Sequence, residues 1–126
     1  MMSKQALGSP AIPPAFGCYS SMIQQGKLLF LSGQGPFDAN QQLVGEDISS
    51  QTHQTLLNIR SLLEDNGFSM NQVVSSTVYL SDIGDWETVN SIYGQYFSEP
   101  YPARTVVGCQ LNGMKIEIQC IAAAEG

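Results

Sequence analysis

Most apolar side chains in this sequence alternate or run in short blocks, but between residues 48 and 63 the period changes. Ile48, Thr52, Thr55, Leu56, Ile59, Leu62 and Leu63 recur at the spacing that places side chains on one face of an α-helix. Asp47 precedes the run as an N-cap, and Gly67 follows it as a stop. A helix with one apolar stripe needs a surface to cover, and the flanking segments supply strands. Residues 20–25 and 27–32 flank Gly26 as the arms of a hairpin, and a short third strand is expected at 42–44. Residues 73–80 are β-branched and bounded by turn residues, so they read as a strand. A second helix is expected over 85–97, with Trp86, Val89, Tyr93 and Phe97 on one stripe and Pro100 and Pro102 blocking continuation. Strands at 103–109 and 114–123, joined by a turn through Asn112 and Gly113, complete the chain as a second hairpin.

The resulting order, ββ(β)αβαββ, is an α+β pattern: a mixed sheet with both helices on one face and the other face open to water or another subunit. Residues 1–126 form one domain, with 1–16 as an extended lead-in shaped by Pro10, Pro13 and Pro14. Charged residues make up 13% of the chain, against roughly 25% in an average soluble domain, while 43% are hydrophobic. So sparse a charge coat favours a homo-oligomer, in which copies cover part of the surface.

A net charge of −6 repels phosphate backbones and anionic membranes, which argues against nucleic acid as a partner. Apolar runs such as Leu28 to Leu31 are far too short to span a membrane, and the first 16 residues lack the apolar block of a signal peptide. Cys18, Cys109 and Cys120 are an odd count without a CxxC, so neither a disulfide framework nor a zinc site is suggested. A reducing cytoplasm is the expected location.

In the last strand Ile116, Ile118, Cys120 and Ala122 share one face, and Lys115, Glu117, Gln119 and Ile121 the other. The C-terminal hairpin then makes Arg104 and Glu117 neighbours near one end of the sheet. Arg104 can fork onto a carboxylate, either a substrate's or that of Glu117 in a salt bridge. Glu117, if partly buried, can hold or protonate a water; otherwise it simply faces solvent. Tyr19 can wall a pocket or serve an ordinary core. Asn90, placed beside the second helix's stripe, must find polar partners and so ties down a loop. His53, the sole histidine, lies off the first helix's stripe and reads as solvated, which leaves no histidine triad or multi-histidine metal site. Residues 32–35, Ser-Gly-Gln-Gly, lack the lysine or third glycine of a phosphate-binding loop.

Taken together, the blocks Phe16-Gly17-Cys18-Tyr19-Ser20, Leu31-Ser32-Gly33-Gln34, Gln51-Thr52 into Leu57-Asn58-Ile59, Val89-Asn90-Ser91-Ile92-Tyr93, Pro102-Ala103-Arg104 and Lys115-Ile116-Glu117-Ile118 make the chain resemble the RidA/YjgF family of enamine/imine deaminases. The resemblance runs from about residue 11 to 123, and its specificity lies in the order and spacing of the blocks. It implies a chorismate-mutase-like fold, a homotrimer with open sheet faces packed centrally, and sites at the subunit interfaces. It also implies that Arg104 grips a substrate carboxylate and Glu117 holds the hydrolytic water, with Tyr19, Ser32, Gly33 and Asn90 completing the pocket. The implied reaction is hydrolysis of a 2-imino acid, formed from a 2-aminoacrylate-type enamine, to a 2-oxo acid and ammonia, without metal or organic cofactor. Two positions depart from the family pattern: Val106 replaces a frequent cysteine, leaving main-chain contacts to ligand there, and Cys18 replaces the usual proline before Tyr19. The alternative reading is a non-catalytic module that binds small carboxylates such as 2-oxo acids. A ribonuclease, an activity attached to some relatives, is opposed by the acidic charge balance.

Overall fold

A computed structural model describes residues 3–124; the ends of the expected 1–126 span, residues 1–2 and 125–126, lie outside the described residues. Six strands, β1 (Gln5–Leu7), β2 (Met22–Gln25), β3 (Leu28–Leu31), β4 (Val73–Leu80), β5 (Ala103–Gly108) and β6 (Ile116–Ala123), form one mixed sheet in the order β1-β2-β3-β6-β4-β5. The helices α1 (Ile48–Glu64) and α2 (Trp86–Tyr96) pack on one face of it, as the sequence predicts. Among the described residues, no helix is long and apolar enough to cross a membrane.

α1 begins where Asp47 accepts a hydrogen bond from the Ser50 amide, and it ends at Gly67, whose φ of +85° is the left-handed turn that stops helices. Leu56, Ile59, Leu62 and Leu63 are fully buried beneath it, each contributing roughly 1.5–3 kcal/mol by leaving water. Gln51, Thr55 and Asn58 continue the same face at spacings of four and three. Gln51 accepts from the Lys115 amide (2.8 Å) and donates to the Gly45 carbonyl (3.1 Å), so it staples α1 to the loops at one end of the sheet. On β6, Ile116, Ile118, Cys120 and Ala122 are completely buried under the helices, as alternation predicts. The other sheet face carries Leu28 and Phe30, 45% and 39% exposed, with Phe30 paired to Ile121.

Several expectations are corrected. The third N-terminal strand is β1, which precedes the proline segment; residues 42–44 make only an isolated bridge, Phe37 with Leu43. β5 and β6 form no hairpin. β5 runs parallel to β4, reached by the α2 crossover that parallel strands require, while β6 inserts between β3 and β4, antiparallel to both. His53 is half-buried, with Nδ1 2.7 Å from the Tyr96 hydroxyl, so it links α1 to α2 instead of standing in solvent. On α2, Trp86 is 41% exposed and Asn90 is exposed, which removes both from the buried stripe; Val89, Ile92 and Tyr93 occupy it.

Candidate functional site

β3 leaves β6 after the Phe30–Ile121 pair and rejoins it at the bridge between Gln34 and Ile118. That stretch advances four residues on one side against three on the other, a bulge of the kind that re-aims side chains beside functional sites. Ser32 is fixed within it: its amide donates to the Ser21 carbonyl (2.9 Å) and its hydroxyl to the Ser20 carbonyl (2.6 Å). Gly33 follows, and Glu117 lies against its backbone. A Cβ on residue 33 would stand 2.5 Å from Glu117 Oε2 and 2.8 Å from its Cδ, so only glycine permits this approach.

Glu117 and Gly33 border a cleft of about 420 Å³ that also takes in Tyr19, Ser32, Phe37, Asn58 and Met114. Burial raises the Glu117 carboxyl above the ordinary glutamate value, because desolvation penalises its charged form. Tyr19 is 47% exposed at the cleft, its ring edge-on to Phe16 at 6.0 Å. Asn58 reaches in from α1 and donates to the carbonyls of Gly35 (3.0 Å) and Phe37 (2.7 Å), which sets the wall opposite the sheet. In the sequence Asn58 stands only within the Leu57-Asn58-Ile59 block, and the signal for its role is a polar amide on the stripe of Thr55, Leu56 and Leu62.

Arg104 lies elsewhere. It pairs with Ser76 on β4, while Glu117 pairs with Tyr79, three residues further along the same strand. An odd separation on one strand means opposite faces, so Arg104 lies on the helix side and Glu117 on the open side. They are separated by roughly 10 Å along the strands and two strand spacings, about 9.5 Å, across them. The expectation that they are neighbours is therefore corrected: β4 stands between their strands. The Arg104–Glu117 salt bridge falls with it, and among the described residues no carboxylate pairs with Arg104.

Arg104 borders a second cleft, of about 350 Å³, together with Asn90, Tyr93, Tyr101 and Pro102. Asn90 makes no side-chain hydrogen bond among the described residues, so it ties down no loop and its amide is open to this cleft. Val106, opposite Val78, packs its side chain against the core and borders neither cleft, and its main chain lies on an edge strand. Tyr93 is a buried phenol whose desolvation raises its pKa, which keeps it neutral. Burial likewise pushes the Cys120 thiol up to about 12, making it an inert core side chain. Among the described residues no three His, Cys, Asp or Glu side chains gather closely enough to hold a metal ion. The chain thus presents two clefts, one bordered by the Glu117 carboxyl on one side of the sheet and one bordered by Arg104 and Asn90 on the other.

Comparison with known proteins gives this geometry a context. A family model described as Endoribonuclease L-PSP matches residues 10–124. A RutC family protein of Pyrococcus horikoshii is 39% identical over 97% of this chain and 99% of its own length. The 2-iminobutanoate/2-iminopropanoate deaminase of Salmonella typhimurium is 35% identical over 96% of this chain and 98% of its own. Among solved structures, a protein of Thermotoga maritima described as a putative endoribonuclease superposes with a TM-score of 0.93 at 36% identity, covering 98% of this chain and all of that one.

Proposed function

This chain belongs to the RidA/YjgF family, whose shared model carries the endoribonuclease L-PSP description, and from that premise we propose that it hydrolyses 2-imino acids to 2-oxo acids and ammonia. The observation that carries the reading is the half-buried Glu117 carboxylate set against the Gly33 backbone in an open cleft. A protonated imine carbon is already electrophilic, so the protein has to hold the substrate, orient one water and move protons; it needs no strong nucleophile. Glu117 accepts one proton of the attacking water and passes it to the nitrogen; the C–N bond then breaks as the hydroxyl gives its remaining proton back to Glu117, so that water supplies the oxygen of the new carbonyl and ammonia leaves. Tyr19 closes the cleft and offers its hydroxyl, while Ser32 and Gly33 shape the wall beside the carboxylate.

The carboxylate anchor comes from a second copy. Leu28, Phe30 and Ile121 form an apolar patch on the uncovered sheet face, which favours burial against other copies of the same chain. In a trimer closed through these faces, Arg104 and Asn90 of one copy meet the Glu117 cleft of the next, and the substrate carboxylate takes the guanidinium's paired donors. The net charge of −6 opposes ribonuclease action, because it repels a phosphate backbone.

The test is to generate 2-aminoacrylate enzymatically and follow pyruvate. The wild type accelerates its release, Arg104→Ala does so only at much higher substrate, and Glu117→Ala does not while remaining assembled. No acceleration by the wild type, with 2-oxo acid binding that Arg104→Ala abolishes, would establish a carboxylate-binding module instead.

A further inference from the structure

Trp86, the chain's only tryptophan, opens α2 and remains 41% exposed, an unusual position for so large a ring. A charged neighbour accounts for it. The Arg104 guanidinium carbon lies 5.5 Å from the Trp86 ring centre and 4.7 Å from that of Tyr93, both within cation–π reach. Tyr93 is a rigid support: it is 3% exposed, its hydroxyl lies 2.7 Å from the buried Ser76 Oγ, and its ring packs 4.4 Å from Phe97. The N–H donors of a guanidinium lie in its plane, around its edge. A guanidinium stacked flat on such rings is restrained without using its donors, and no carboxylate among the described residues competes for those of Arg104.

We propose that Trp86 and Tyr93 are positioning residues that hold Arg104 by its face and present its edge, already ordered, to the substrate carboxylate. The proposal rests on Arg104 being the carboxylate anchor. A free arginine loses rotamer freedom when it grips a ligand; one already restrained between rings loses less, and the gain appears as affinity. Because the carboxylate is held alike in ground and transition states, the effect falls on KM and leaves kcat unchanged.

Two measurements on the intact assembly test this. In the wild type, ring currents shift the Arg104 Nε–Hε resonance upfield as a single sharp line, and Trp86→Leu reduces that shift. Trp86→Leu also raises KM for the imine, and the inhibition constant of 2-oxobutanoate used as a probe, by the same factor of about three to ten. Its kcat and unfolding temperature stay at wild-type values, and Trp86→Phe, which keeps an aromatic face, restores both constants to within about twofold. A wild-type Arg104 resonance at the position of a free surface arginine overturns the proposal, as does a Trp86→Leu variant with unchanged constants. If the wild type hydrolyses no imine, the deaminase reading falls, while the resonance and the 2-oxobutanoate affinity still decide whether the rings position Arg104.

Discussion

Replacing Gly33 by alanine isolates what the close approach to Glu117 does. Gly33 is not among the glycines at positive φ, so alanine meets no backbone strain and its effect falls on the carboxylate. The new methyl would lie 2.5 Å from Oε2, and ordinary contact begins near 3.4 Å, so the carboxylate oxygen must retreat by about 0.9 Å. A displacement of that size at a group orienting the attacking water costs on the order of 100-fold in turnover. Stability falls by about 1 kcal/mol, the low end for overpacking, because the end of a glutamate side chain can move aside. The assay pairs pyruvate release from enzymatically generated 2-aminoacrylate with thermal unfolding of the same samples. Repeating the unfolding in a Glu117→Ala background removes the atoms in the way, so the alanine at 33 should then cost nothing; neighbours that act through one contact are non-additive in this manner. Wild-type turnover and stability in Gly33→Ala would refute the reasoning, since Glu117 could not then depend on the position described.

Other consequences can be measured independently. Burial raises the Glu117 carboxyl, so the folded protein keeps that proton to higher pH than the unfolded chain does. The contribution of this group to stability is therefore fully present below the ordinary glutamate value and is lost as pH rises through the folded one. Glu117→Gln should melt above the wild type at pH 7 and converge with it in acid; a wild-type advantage at pH 7 contradicts this. Asn58→Ala strips the Gly35 and Phe37 carbonyls of their donor and should lower stability by about 2–3 kcal/mol, measured by urea unfolding, with little loss if water replaces the amide. Phe30→Glu puts a charge on the apolar sheet face and should leave folded monomers without turnover, readable by light scattering and circular dichroism; an active trimer would show that another surface assembles the protein.

Elements with a strong local signature were legible in the sequence. The α1 stripe, its Asp47 cap and the β4 span follow from side-chain spacing and turn residues, and the buried face of β6 follows from strict alternation. β1 has three residues and no apolar pattern, so only its pairing with β2 identifies it as a strand. The Asn112–Gly113 turn resembles a hairpin loop, but pairing is decided by what α2 must cross, and that places β5 beyond β4. The error over the Arg104–Glu117 pair follows from the same cause. Tyr19, Ser32, Gly33 and Glu117 do gather in one cleft. Trp86 and the bulge at Gly33 were hidden because their roles arise from tertiary placement, which a single strand or helix pattern does not encode.

If Arg104 and Glu117 serve one reaction, as proposed, their opposite orientations on the sheet require them to come from different copies of the chain. Arg104→Ala and Glu117→Ala chains, each without turnover at low substrate when alone, should complement when denatured together in equal amounts and allowed to reassociate. With random mixing in a three-fold ring, about a quarter of the junctions join an intact glutamate to an intact arginine. The mixture should recover that fraction of native activity, and in a cell carrying both forms one defective allele would silence junctions on chains that are themselves sound.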